Sequence, residues 1–228
     1  MAEGCLLYYI TDRRQFPGDE SAQCRALLAK IVEAARGGVD YIQLREKDLP
    51  SRELEALAKT AIQMVREQRT ANNLRPATRL LINSRTDVAM AVGADGVHLR
   101  SDDVQPADVR SIWAQVQERG GQDRESPLVA VSCHTLADVA RIESDGADFD
   151  VFGPLFEKGG SETAGLAALR QACKARVPVL ALGGVTLENV RACLATGASG
   201  IAAIRLFQEN PVMATAQCLR GSAANLNS

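Results

Sequence analysis

Apolar positions along the chain alternate between two rhythms. Short apolar runs such as Leu6-Leu7-Tyr8-Tyr9-Ile10-Thr11, Arg79-Leu80-Leu81-Ile82-Asn83 and Leu128-Val129-Ala130-Val131-Ser132 read as strands. Between them lie stretches with helical spacing. Ser21 to Ala35 carries Leu27, Leu28, Ile31, Val32 and Ala35, and stops at Gly37-Gly38. Ser51 can cap a helix whose inner face is Leu54, Leu57, Ala58, Ala61, Ile62 and Val65. Further helices are predicted over 87–92, from Pro106 to about Gln117, and over 135–144, 165–175, 186–195 and 211–219. Further strands are predicted over 41–47, 96–99, 150–153, 178–182 and 200–204. Residues 68–78 and 118–125 read as polar loops, and 221–228 as a disordered tail.

Strands that alternate with helices lie parallel. Several of these strands are apolar on both faces, as parallel strands covered by helices should be. Gly38-Val39-Asp40, Gly93-Ala94-Asp95, Gly146-Ala147-Asp148 and Gly197-Ala198-Ser199 echo one another before every second strand. Their spacing of roughly 50 residues is two β-α units. The pattern predicts one closed (β/α)8 TIM barrel over residues 1–220. An open doubly wound sheet is the alternative; it would more naturally place a Gly-rich turn where Thr11-Asp12-Arg13-Arg14 stands.

A length of 228 residues suits a single barrel, and 46% hydrophobic residues suffice for its core. A net charge of −2 leaves no electrostatic footprint for nucleic acid or a membrane surface. No apolar run approaches the ~20 residues of a membrane span. Met1-Ala2-Glu3-Gly4 does not read as a signal peptide. The six scattered cysteines, without a C-x-x-C pair, read as reduced thiols of a cytoplasmic protein. Two histidines without ligand spacing argue against zinc.

The stretch Tyr41-Ile42-Gln43-Leu44-Arg45-Glu46-Lys47 carries the most chemistry. On a strand, Ile42 and Leu44 share one face, and Gln43, Arg45 and Lys47 the other. Inside a barrel such cations need anionic partners. Barrel sites lie at the carboxyl ends of the strands. There the chain also places Asn83-Ser84-Arg85, His98, Asp102-Asp103, Ser132, His134, Gly183-Gly184 and Arg205. Gly183-Gly184 can bring backbone N–H groups to a phosphate, or simply form a tight turn. Arg205 can reach the same phosphate or lie on the surface. Asp103 can hold Mg2+ or cap the helix that opens at Pro106. His98 is a site or core histidine, and His134 a proton carrier or a polar helix start. These residues predict a barrel that holds a phosphorylated or diphosphorylated small molecule with Mg2+.

Five motifs carry a resemblance. Gln43-Leu44-Arg45-Glu46-Lys47, Gly93-Ala94-Asp95-Gly96-Val97-His98-Leu99, Ser132-Cys133-His134-Thr135, Phe152-Gly153-Pro154-Leu155-Phe156 and Leu182-Gly183-Gly184-Val185-Thr186 resemble the thiamine phosphate synthase family, with the related thiazole tautomerases. The resemblance implies a TIM barrel that joins hydroxymethylpyrimidine diphosphate to thiazole phosphate and releases diphosphate with Mg2+. It implies that Gln43, Arg45 and Lys47 grip the pyrimidine diphosphate and that Asn83 and Asp103 stand at its metal site. It also implies that Ser132 lies near the diphosphate and that Gly183-Gly184 holds the thiazole phosphate. A homodimer is a further expectation.

The chain departs from the pattern at four places. Ser84 stands where the family usually has Asp, and Arg100-Ser101 where it has Gly-Gln. The loop after the sixth strand is altered over 157–163, where Lys158, Ser161 or Thr163 can substitute for the usual substrate contacts. Arg205 replaces a serine. The lost carboxylate at 84 keeps a thiazole tautomerase, with His134 as its proton carrier, open as an alternative. A non-catalytic binder of thiazole phosphate is another.

Overall fold

The computed structural model describes residues 5–71, 78–120, 125–156 and 163–226. Eight parallel strands close on themselves in sequence order. They are β1 (Leu6–Ile10), β2 (Tyr41–Leu44), β3 (Arg79–Asn83), β4 (Gly96–Leu99), β5 (Leu128–Cys133), β6 (Phe149–Phe152), β7 (Val179–Leu182) and β8 (Gly200–Ala203). β8 returns to β1 with Leu6 opposite Gly200, which closes the ring. Around it run α1 (Glu20–Arg36), α2 (Ser51–Ala71), α3 (Thr86–Val92), α4 (Pro106–Gly120), α5 (Leu136–Ser144), α6 (Gly165–Ala172), α7 (Val190–Leu194), α8 (Arg205–Gln208) and α9 (Val212–Ala224). This is the expected (β/α)8 barrel. No helix among the described residues is long and apolar enough to cross a membrane.

Side-chain alternation along each strand builds two cores. The larger lies between strands and helices. The inner one contains Tyr8, Leu81, Phe149, Val151 and Leu180, so the barrel is filled rather than hollow. Tyr41 stacks on Phe149 with ring centres 4.8 Å apart, and Tyr8 meets Phe149 edge-on at 5.4 Å. One pleat further toward the carboxyl ends, the same inward row turns polar at Gln43, Asn83, His98 and Ser132. The aromatic layer is therefore the floor of the site.

The Gly-x-Asp echo closes the opposite end. Asp40 Oδ2 accepts from the Leu7 N–H at 2.8 Å and from Arg220 of α9 at 3.1 Å. Asp95 accepts from the Leu80 N–H at 2.7 Å and from Arg69 of α2. Asp148 accepts from the Val129 N–H at 2.6 Å and from Arg110 of α4 at 2.7 Å. Each carboxylate ties the start of its own strand to a neighbouring strand and pins a helix. The repeat is thus structural.

Several boundaries differ from expectation. β2 ends at Leu44, so Arg45 and Lys47 lie in the following loop and not on a strand face with Gln43. The reason is local: the Arg45 N–H is taken by the Thr11 hydroxyl at 2.9 Å and not by a strand. α2 runs on to Ala71, and α9 to Ala224, into segments expected to be loop and tail. α7 starts only at Val190, after a turn in which Asn189 Oδ1 accepts from the Thr186 N–H at 2.8 Å. α8 is a single turn, too short for periodicity to announce.

One polar side chain points into the outer core. Asp150 on β6 is fully buried, and neither carboxyl oxygen has a hydrogen bond of good geometry; the nearest donors are the Cys133 thiol and the Val151 and Cys133 backbone. Burial pushes its pKa up to about 7.

Candidate active site

Thr11, Arg13 and Glu46 shape the loop that carries the cations. Glu46 faces away from the barrel axis, and its carboxylate accepts from the Thr11 hydroxyl at 2.6 Å, the Arg13 N–H at 3.1 Å and the Arg13 guanidinium at 3.2 Å. Arg13 also reaches Asp48 at 2.6 Å and Glu20 at 3.0 Å. The Arg13 and Glu46 side chains are 4% and 1% exposed. A buried pair of this kind needs its other hydrogen bonds largely met; here the carboxylate and both terminal guanidinium nitrogens are engaged, and Arg13 Nε is left without a partner. Arg13 is therefore a structural cation.

With Glu46 turned away from the axis toward Thr11 and Arg13, Arg45 and Lys47 are left for the mouth. Lys47 is exposed, and its pKa is held below the usual lysine range by partial burial and by the nearby cations Arg45 and Arg100. No ion pair joins Arg45 or Lys47 to a carboxylate among the described residues. Lys47, Asn83, Ser84, Arg85 and Arg100 line one hollow of about 240 Å³.

Two hydrogen-bonded lines cross the inner rim. The first runs over β2, β3 and the loop after β4. The Gln43 amide donates to Asn83 Oδ1 at 2.8 Å, and Asn83 donates to Ser84 Oγ at 3.3 Å. Ser84 Oγ donates to Asp103 Oδ2 at 2.7 Å. Asp103 Oδ2 also accepts from the Arg100 N–H at 2.8 Å, and Oδ1 from its guanidinium at 3.3 Å. Asp103 stays below the usual carboxylate range, because the Arg100 N–H, Ser84 and the Arg100 charge outweigh its partial burial. The second line runs Tyr8–His98–Ser132. His98 Nδ1 lies 3.0 Å from the Tyr8 hydroxyl and Nε2 lies 2.7 Å from Ser132 Oγ. Burial, then the Arg45 charge, lowers the His98 pKa to about 3, so the ring is neutral.

The other side of the mouth is the Gly-Gly turn. Gly183 and Gly184 have φ of +95° and +68°. A Cβ on Gly183 would sit 2.7 Å from Pro154 Cα, and one on Gly184 2.8 Å from Phe156 Cβ. Only glycine allows this turn to nest against the Gly153–Phe156 loop. Both glycines and Arg205 line a hollow of about 630 Å³, with Gln15, Glu188 and Glu209. Arg205 is exposed and heads α8 rather than ending β8. His134 is exposed beside this loop, with Nδ1 on the Gly153 carbonyl. A carbonyl only accepts, so the ring donates there from Nδ1.

The barrel thus gathers Gln43, Arg45, Lys47, Asn83, His98, Asp103, Ser132, His134, Gly183, Gly184 and Arg205 at the carboxyl ends of its strands. Lys158 and Ser161 lie outside the described residues. Sequence reading missed Tyr8 and Arg100 as members of the site. Tyr8 was hidden in an apolar run, although its parity with Ile10 places it inward. Arg100 was visible only as a departure from a motif.

Magnesium needs oxygen ligands, and it commonly keeps one or two carboxylates together with substrate phosphate. Among the described residues no group of three or more His, Cys, Asp or Glu side chains could hold a metal ion. Asp103 is the one carboxylate on this line, and Arg100 and Ser84 occupy both its oxygens. The residues as they stand do not fit a preformed magnesium site.

Comparison with known proteins agrees with this geometry. The family model described as thiamine monophosphate synthase matches residues 7–207. The thiamine-phosphate synthase of Methanoculleus marisnigri is 35% identical over 97% of this chain and 96% of that protein. That of Clostridium novyi is 33% identical over 90% of this chain and 91% of that protein. The solved thiamine phosphate pyrophosphorylase of Pyrococcus furiosus superposes with a TM-score of 0.76 at 29% identity, covering 98% of this chain and 97% of that one. A motif series at the mouth of one barrel, matched over nearly the whole chain, places this protein in the thiamine monophosphate synthase family.

Proposed function

We propose that this protein is a thiamine-phosphate synthase, a transferase that joins hydroxymethylpyrimidine diphosphate to thiazole phosphate and releases diphosphate. The observation that carries the reading is the pair of hollows at one mouth. One is lined by Lys47, Arg85 and Arg100, with Arg85 paired to Asp87, Arg100 paired to Asp103 and Lys47 in no ion pair among the described residues; the other is lined by Gly183, Gly184 and Arg205. Two hollows suit two phosphorylated substrates.

In this reading Arg45 and Lys47 hold the departing diphosphate, with Arg100 beside them. Fixed positive charge stabilises the negative charge that grows as the C–O bond breaks. Gln43 and Asn83 orient the pyrimidine, and Ser132 donates to the diphosphate. The Gly183-Gly184 amides and Arg205 hold the thiazole phosphate, so that the thiazole nitrogen faces the pyrimidine carbon. Juxtaposition replaces a side-chain nucleophile.

The test is to mix both substrates and Mg2+ with the purified protein and look for thiamine phosphate and diphosphate. Absence of product from a folded sample removes the reading. A second reading, a thiazole tautomerase, is favoured by Ser84 and by the exposed ring of His134 at the mouth. Isomer turnover that His134→Ala abolishes would support it. The free state of all six cysteines supports a cytoplasmic setting.

A further inference from the structure

Ser132, His98 and Tyr8 line up as a Ser-His-X row, the outline of a hydrolytic triad, but with its polarity reversed. In such a triad the third member accepts from Nδ1–H, so that Nε2 is free to take the serine proton. Here the third member is a phenol. Its hydroxyl is fully buried on β1, its ring packed against Tyr41 and Phe149, and its recorded hydrogen-bond partner is His98 Nδ1.

A neutral imidazole carries one N–H. If that proton were on Nδ1, the Tyr8 oxygen would have to accept it. The phenol proton would then be left without an acceptor inside an aromatic layer, which is costly. Burial keeps Tyr8 protonated, so ionisation offers no escape. With Tyr8 as donor, Nδ1 accepts and the imidazole proton sits on Nε2. Nε2–H then donates to Ser132 Oγ, 2.7 Å away. The serine oxygen is thereby engaged as an acceptor. Its own proton is free to turn toward the mouth, where Ser132 is half-buried.

We infer that Tyr8 is a positioning residue that fixes His98 in the Nε2–H tautomer and so presents Ser132 as a hydrogen-bond donor to the diphosphate, never as a nucleophile. The ligand in this statement rests on the synthase reading above; the tautomer does not. His98 cannot serve as a base toward Ser132, because the nitrogen that faces the serine already holds a proton.

The chain has two histidines, so the full-length protein labelled with 15N-histidine gives a spectrum that His134→Ala assigns. The expected result is a His98 ring protonated on Nε2 alone and unchanged between pH 5.5 and 8. Tyr8→Phe, which keeps the ring packing, should shift it toward the other tautomer. A wild-type His98 protonated on Nδ1, or one that titrates in that range, overturns the inference. A second measurement uses inorganic diphosphate as the probe. Ser132→Ala and Tyr8→Phe should each weaken its binding by up to about tenfold, and the double variant should bind no worse than Ser132→Ala alone. Additive losses overturn the relay. If wild type does not bind diphosphate, the proposed ligand fails, while the tautomer spectrum still decides the role of Tyr8.

Discussion

Arg100 closes on Asp103 from two directions, its backbone N–H on Oδ2 at 2.8 Å and its guanidinium on Oδ1 at 3.3 Å. Ser84 adds its hydroxyl to the same carboxylate at 2.7 Å. The acid that stands nearest to a metal-ligand role is thereby neutralised by its own loop.

Magnesium alone should therefore bind weakly to the free protein. Ser84 sits at φ +55°, a conformation that aspartate tolerates better than most residues. Ser84→Asp places a second carboxylate beside Asp103 and should raise affinity for Mg2+ or Mn2+ by about tenfold or more. Calorimetric titration of the two ions into both proteins checks this. Equal affinities would remove Ser84 as the cause.

The two hollows predict separable binding losses. Lys47→Ala should raise KM for the pyrimidine diphosphate about tenfold or more and leave the thiazole phosphate nearly untouched. Arg205→Ala should do the reverse. Steady-state kinetics with each substrate varied in turn decides it. An Arg205→Ala effect confined to the pyrimidine diphosphate would break the assignment of the larger hollow.

Asp150 makes stability depend on pH. Burial lifts its pKa from 3.8 to about 7, so between those values the folded chain holds a proton that the unfolded chain has released. Stability should fall as pH rises from about 4 to 7, by up to about 4 kcal/mol from this group, and level off above. The charged and titratable groups around it are Cys133 on β5, Asp138 and Arg141 on α5, and Cys173 after α6. Asp150→Val should flatten that slope and raise the melting temperature at pH 8. An unchanged slope in denaturant melts across this window would show that another group titrates.

Arg13 should matter to stability before it matters to catalysis. Arg13→Met leaves the Glu46 carboxylate buried with no cation, a change expected to cost about 3–5 kcal/mol. Urea unfolding measures it. A loss under 1 kcal/mol would mean that Glu46 finds water or a proton instead.

The sequence by itself determined the elements, the closed barrel and the rim on which the chemistry stands. Those follow from local rules. Periods of two and of 3.6 can be counted along one stretch, and parity carries a residue to one face of a strand. Thus Gln43, Asn83, His98 and Ser132 were legible as neighbours at the mouth. What only the tertiary structure decided is which charge answers which. In the run Gln43 to Lys47, the anion Glu46 turns under the loop to meet Arg13, which frees the cations on either side of it. Tyr8 and His98 stand 90 residues apart and become partners only when β1 and β4 face each other across the barrel. Asp150 stands in an otherwise apolar strand, and its register points it into the layer under the helices. Pairings between charges act through space, and no periodicity along the chain encodes the distances that set them.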